Sequence, residues 1–352
     1  MTATTRRRAA AITDVARLAG VSHQTVSRVL NGHPAVSSAT RARVLTAIRQ
    51  LDYRPNALAR TLAGGRSRMI GVISPDTPRY GSLATLFGIE RAARAAGYGM
   101  ITTALERVDY HGVLSAVGAL AGQSVAGVVV IAAQRAAAAA LQHLPSGTAA
   151  VAVEPDGDSQ VPAVCTDQAG GARLAVVHLL RLGHSSVWHV AGPEEALDAR
   201  ARADGWRRTL QQAGIAPPPP VTGDWSAQSG YQAGLRLADR DDVTAVFAGN
   251  DQMALGLIRA FTERNIRVPD DVSVVGFDDI PEAEFLTPPL TTVRQDFDAV
   301  GQRCFAALLQ RIEAGFPDTL AHSASEAAIR PSLVVRRSTA ARPEVRRPLV
   351  AA

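Results

Sequence analysis

The sequence contains no lysine, and all 37 of its Lys-or-Arg positions are arginine. A GxxxxGK[ST] phosphate loop is therefore excluded, and HExxH, GxSxG and a GxGxxG following a strand are missing as well. Asp278 and Asp279 could suggest paired carboxylates, but adjacent residues at a strand end point apart, so no enzyme is expected. There are two cysteines, Cys165 and Cys304, without a further Cys or His at metal-ligand spacing. Both read as buried thiols, and neither a metal nor a cofactor is expected. Aromatics are 5% of the chain, so its cores must be built from Ala, Val, Leu and Ile. No apolar run approaches the roughly 18 residues of a membrane helix. The AAAI after Arg6, Arg7 and Arg8 is too short for a signal-peptide apolar region. A cytoplasmic protein with no membrane partner is expected.

What is present is unevenly spread. With 352 residues, two or three domains are expected. Residues 1–68 carry twelve Arg against Asp14 and Asp52, a balance of +10 within a net charge of +5. A basic head on a mildly acidic body suggests that the head meets a polyanion. In that head, DVARLAGVSHQTVSRVLNG (14–32) reads as two short helices. Gly20 breaks the first, which spans roughly Ile12 to Leu18, and Ser22 caps the second. Ala16, Gly20 and Val26 have the spacing of a tight helix-turn-helix. A third helix follows, capped by Ser37 or Ser38, with Val44, Ile48 and Leu51 as its apolar stripe. Turning Val26, Val29 and Leu30 inward projects Ser22, His23, Gln24, Thr25, Ser27 and Arg28 outward. Gln pairs bidentately with adenine and Arg with guanine, hydroxyls reach phosphates or base edges, and a helix N-terminus favours phosphate. The alternative is a small bundle with a solvated polar face.

ITDVARLAGVSHQTVSRVLNG and VSSATRARVLTAIRQLDYRPNALARTLAGGRS resemble the headpiece of the lactose-repressor/galactose-repressor family of bacterial transcription regulators. The resemblance puts His23 and Gln24 at the main base-reading positions, with Thr25, Ser27, Arg28 and Asn31 on bases or phosphates. The small Ala11 stands where many relatives have a hydroxyl cap. PNALARTLAGG (55–65) taken alone is a marginal two-turn helix or a linker. By resemblance it is a hinge helix that orders on a palindromic double-stranded operator, with Asn56 at its start contacting DNA. Leu62 then wedges into the minor groove, and an apolar wedge there kinks DNA.

After Arg68 short β-rich runs (MIGVISP, VAGVVVIA, TAAVAVE, SVWHVAGP, VTAVFAGND, VSVVGFDD) alternate with helical stretches near 85–97, 168–182, 200–213 and 251–263. Such alternation predicts parallel α/β sheets, and about 270 residues exceed one such unit. IGVIS to PSLVVRRS continues the resemblance, closest to the lactose-repressor branch. It implies a periplasmic-binding-protein-like core of two lobes with a small-sugar cleft between them, crossed by three strands. Arg202, Asn250 and Asp278 would bond sugar hydroxyls, Trp225 and Phe297 would be apolar platforms, and Gln295 a further polar contact. Polyhydroxylated ligands need such groups and a flat apolar surface, and ligands of α/β sheets sit beyond strand ends. Taken singly, Arg202 reads as a helix-surface charge, Trp225 as core and Asn250 as a helix cap. Glu154 stands where that branch has a shorter carboxylate and Asp198 where it has a hydroxyl. Pro75, Arg79, Tyr80 and Ser82 stand where it has smaller or apolar groups.

The expected organisation is a helix-turn-helix headpiece (10–55), a hinge helix and linker (56–67), a core (68–340) and a disordered tail (341–352). Lobe one takes 68–166 and 297–327, and lobe two 167–294 and 328–340. The tail holds two prolines in STAARPEVRRP and no leucine heptad, so a homodimer is expected. The function read from all this is a repressor released by a small sugar, a galactoside first. Alternatives are a repressor whose core no longer binds ligand, and a sugar-binding module without a DNA role.

Overall fold

The computed structural model describes residues 10–30, 33–53, 67–76, 79–131, 134–145, 147–153, 161–315 and 328–342. Asn31, Asn56, Leu62, Glu154 and the tail from 343 onward lie outside the described residues. The chain divides into two compact units, Met1–Ser67 and Arg68–Ala352.

Among the described residues the first unit has three helices, α1 (Ile12–Ala19), α2 (His23–Leu30) and α3 (Ser38–Gln50). Ala11 offers α1 no side-chain cap, but the Asp14 carboxylate accepts from Ala11 N at 2.9 Å, half of a capping box. Gly20 ends α1 in the left-handed region, φ +62°, where a side chain would be strained. Ser22 Oγ accepts from Thr25 N at 3.2 Å and Ser37 Oγ from Thr40 N at 3.3 Å, so both later helices start on hydroxyl caps. Val15, Ala16, Ala19, Val26, Val29, Val44 and Ala47 form the core. Ala-sized groups on α1 let α2 and α3 approach closely.

In the second unit β1 (Met69–Pro75), β2 (Gly99–Leu105), β3 (Gly127–Ile131), β4 (Ala150–Val153) and β5 (Ala163–Val164) form one sheet, in the order β2-β1-β3-β4-β5. All its pairings are parallel. A second sheet contains β6 (Trp188–Ala191), β7 (Val221–Thr222), β8 (Ala245–Ala248), β9 (Ser273–Asp278), β10 (Thr291–Arg294) and β11 (Ser332–Val334). Its order is β11-β10-β9-β8-β6-β7, parallel except where β11 joins β10. Both faces of each sheet are covered, which is why β3, β6 and β8 are buried at every position rather than at alternate ones. This is the two-lobed α/β core that the alternating pattern predicts.

α4 (Tyr80–Ala95), α7 (Gln168–Arg181) and α8 (Leu197–Gln212) bear on the site, with α5 (Tyr110–Gly122) and α6 (Arg135–Leu141) lying between them in sequence. α4 and α8 begin earlier than the sequence suggests, since their first turns use weak helix formers or lack a side-chain cap. α9 (Ala227–Ala238) and α10 (Asp251–Glu263) follow in the second lobe. The chain then returns: α11 (Phe297–Ala314) packs Val300, Cys304, Phe305 and Leu308 into the core beneath β1, β3 and β4. Gly88 and Gly301 bring α4 and α11 together, since a Cβ on Gly301 would sit 2.4 Å from the Gly88 carbonyl carbon. Two crossings lie side by side, with Asp167 N donating to Ile329 O at 2.9 Å and Ile329 N to Cys165 O at 2.8 Å. Cys304 is buried as expected, but Cys165 on a crossing is half-buried, because the segment between two lobes is covered on fewer sides.

Candidate functional site

In the first unit, Val26 and Val29 anchor α2 to the core and leave its other face outward. Ser22, His23, Gln24 and Arg28 are exposed, and Thr25 and Ser27 are partly exposed. Ser22 and Thr25 are bonded to one another, Oγ to Oγ1 at 3.0 Å, so they belong to the cap as much as to the open surface. Arg41 on α3 donates to His33 O at 3.0 Å, which holds the loop after α2 against α3.

In the second unit a cavity of about 350 Å³ opens between the carboxyl ends of the two sheets. Asp198, Arg202, Trp225, Asn250, Asp278, Gln295 and Phe297 all line it, and so do Pro75, Arg79, Tyr80 and Ser82. Its centre is Arg202, which the single-residue reading made a surface charge. On α8 it is 4% exposed, because Trp206 and Leu210 turn the same helix face into the lobe. Its Nε donates to Gln168 Oε1 at 2.9 Å, and another guanidinium nitrogen donates to Gly249 O. The guanidinium carbon lies 3.9 Å from the Phe277 ring centre and 5.3 Å from that of Trp225, so two π faces replace lost hydration. Asp278 lies 3.5 Å and Asp198 3.9 Å away.

Gln168 continues the network, donating from Nε2 to Gln295 Oε1 at 2.9 Å, and Gln295 Nε2 donates to Asp278 Oδ1 at 2.7 Å. Arg202, Gln168, Gln295 and Asp278 thus close a ring of polar contacts. Gln168 and Gln295 sit beside Asp167 and Asp296, the caps that start α7 and α11 as the chain crosses between lobes. Burial raises the Asp278 pKa to about 6, against the pull of Arg202 and the Gln295 hydrogen bond. Its neighbour Asp279 turns away to Arg294 and Arg336, so the two carboxylates do point apart. Asp251 lies beneath, accepting from Ile280 N at 2.9 Å and Thr292 Oγ1 at 2.6 Å. It fixes the turn that carries Asp278, and burial followed by the charge of Asp278 holds its pKa well above the carboxylate range.

Asn250 caps α10 by accepting from Met253 N at 2.9 Å, and donates to Trp225 O at 3.0 Å. The cap and site readings of Asn250 are therefore compatible. Its second bond holds Trp225 at φ +75°, and Gly192 leaves room for the indole, since a Cβ there would lie 2.3 Å from the ring. Across the cavity Phe297 meets Tyr80 edge to face, centroids 5.7 Å apart. Burial first, then the charges of Asp278 and Asp279, raises the Tyr80 pKa and keeps the phenol protonated. Gln134 bridges to Ala196, joining the lobes at the rim.

Sequence reasoning missed Gln168 and Phe277. Gly171 is the available cue, since a Cβ there would lie 2.7 Å from the Phe277 ring. The small residues after Gln168 are what seat α7 on that ring.

Residues 11–56 match the family model described as "Bacterial regulatory proteins, lacI family", and residues 176–339 match "Periplasmic binding protein-like domain". The Lactose operon repressor of Escherichia coli (strain K12) is 37% identical over 299 residues, 84% of this chain and 83% of the relative. The Ribose operon repressor of the same strain is 35% identical over 312 residues, 86% of this chain and 93% of the relative. A solved structure of the lac repressor dimer bound to operator and the anti-inducer ONPF superimposes with a TM-score of 0.86. It is 35% identical and covers 95% of this chain and 100% of that one. The chain belongs to the lacI family of bacterial regulatory proteins, as a DNA-binding transcriptional repressor with a periplasmic-binding-protein-like core.

Proposed function

We propose that this chain is a cytoplasmic, homodimeric repressor that reads a palindromic operator and leaves it when a small sugar binds between the lobes. The observation carrying the reading is the Arg202–Gln168–Gln295–Asp278 ring at the wall of the interlobe cavity. Fixed donors and acceptors beside Trp225 and Phe297 match a polyhydroxylated ring with an apolar face. A galactoside is the first candidate, given how closely GDWSAQSG and GNDQMALG follow the lactose-repressor branch. Leu83 and Phe87 on α4, with Leu255 and Phe285 in the second lobe, are large apolar side chains left exposed, and a second copy would cover them. A ligand shifts the lobes only by its differential affinity for their arrangements. Rotation that parts the two copies of residue 68 would unpair the hinge segments around Leu62 and free the DNA. The test is an electrophoretic shift on the DNA upstream of its own gene. A galactoside is expected to release the bound complex. Release by none of a panel of neutral and acidic sugars, together with no calorimetric binding, overturns the reading.

His23 and Gln24 are proposed to set operator preference, with Thr25, Ser27, Arg28 and Asn31 as flanking contacts. Gln24→Ala is expected to cost about 1–3 kcal/mol at one base pair and relax selection there. Sequence selection that returns the parental consensus refutes the assignment.

Leu62→Ala is expected to leave the dimer intact in light scattering and to reduce both DNA bending and affinity, as loss of an intercalating wedge requires. Unchanged bending removes the wedge role, and a stable tetramer contradicts the proposed dimer.

A further inference from the structure

Two nitrogens at the cavity wall are buried without a hydrogen-bond partner, Arg79 Nε on the first-lobe side and Trp225 Nε1 on the second-lobe side. Arg202 donates to Gln168 and to the Gly249 carbonyl and faces Asp278, and the Asp224 carboxylate accepts from Ser226 N at 2.9 Å. Arg79 lines the opposite side immediately before α4, and its Nε is buried with no hydrogen-bond partner. No ion pair holds its guanidinium among the described residues. A buried donor left unmade costs more than a made one gains, so an acceptor arriving there is favoured.

Three further features describe that acceptor. Thr85, 3% exposed, turns into the same cavity one helical turn beyond Ser82, so two hydroxyls share this face of α4. The helix starts at Tyr80 with no side-chain cap from Arg79 and no acidic residue in its first turn, so among the described residues no carboxylate answers its positive end. Among the described residues, the acidic ones lining the cavity, Asp198, Asp224 and Asp278, all come from the second lobe. Among the described residues the cavity is therefore polarised, with carboxylates at one end and an arginine, two hydroxyls and a helix N-terminus at the other.

We propose that the Arg79 end of the cavity takes an anionic group, a carboxylate or a phosphate, carried by the sugar itself. The effector is then an acidic sugar whose ring hydroxyls meet Asp278 and Arg202 while its anion meets Arg79, Ser82 and Thr85. This rests on the cleft being the sugar site, and the two readings fail differently. Titration calorimetry of the full-length chain would use galactose, galacturonate and galactose 6-phosphate, each at low and high salt. At least one acid is expected to bind about tenfold or more tightly than galactose, the margin shrinking with salt. Arg79→Gln is expected to bring the acid-to-neutral ratio to near one, with circular dichroism reporting that the variant is folded. Which acid wins separates carboxylate from phosphate. Galactose binding as tightly as both acids, or a preference that survives Arg79→Gln, overturns the anion subsite and leaves the sugar cleft standing. Binding of none of the three by the parent chain overturns both.

Discussion

Arg202→Ala is expected to lower the stability of the core by about 3–5 kcal/mol, the usual cost of removing one partner from a buried charged network. The response to sugar should disappear with it. The guanidinium does three things at once. It donates to Gln168 and to the Gly249 carbonyl, opposes the charge of Asp278 and fills the space between Phe277 and Trp225. Alanine leaves two buried acceptors unmade and a gap between two rings. One effect moderates the loss. Arg202 holds the Asp278 pKa down, so without it Asp278 takes up a proton more readily and escapes burial as an unpaired charge. Operator binding belongs to the separate unit Met1–Ser67 and should persist below the variant's melting temperature. Arg202→Lys separates the two roles, because it keeps a charge but loses the planar fork and the ring stacking. It should recover part of the stability in urea unfolding and none of the sugar release. A lysine variant released from operator at the parent's sugar concentration would mean that Arg202 does not touch the ligand.

The headpiece and the alternating core were legible because their signals are local. Gly20, Ser22 and Ser37 act on neighbours within a turn, and buried parallel strands announce themselves as continuous apolar runs. The strand β2 was not legible. Its GMITTAL is partly exposed along its length at a sheet edge, so it shows neither a continuous run nor clean alternation. α11 was missed for another reason. Its segment was expected in lobe one through the resemblance alone, since nothing local says that a stretch following lobe two returns to fill lobe one. The helix itself was not among those read from the sequence. The cavity divides along the same line. Asn250 and Asp278 are marked by strand ends, a short-range feature. Gln168 is 127 residues from Gln295, and its role exists only after both crossings are laid side by side. Phe277 reads as strand core, and becomes the bed of Arg202 only when α8 lies across β9.

Sugar affinity is expected to rise with pH and level off above about 6, where Asp278 ionises. The folded-state pKa of Asp278 lies above the 3.8 of a free aspartate, so the protein without sugar holds this proton more tightly than the unfolded chain does. Stability from this group is fully present below about 4 and is lost as pH rises from there through about 6. Binding has the opposite slope. A sugar hydroxyl donating to the carboxylate favours the ionised form, so the ligand must displace a proton whenever the pH is below the pKa. Affinity then falls about tenfold for each pH unit below that point, with one proton released per sugar bound. Asp251 also has a raised pKa, but its two oxygens are taken by Ile280 N and Thr292 Oγ1, so it meets no ligand and affects stability alone. Asp198 faces the same guanidinium from α8, at the longer distance of 3.9 Å. Asp278→Asn isolates the effect, because an amide keeps the shape and can donate or accept but does not titrate. Its sugar affinity should be weak and flat across the same range. Calorimetry in two buffers of different ionisation enthalpy counts the proton directly. A parent chain that binds sugar equally well on both sides of pH 6 and releases no proton would take the carboxylate of Asp278 out of contact with the ligand.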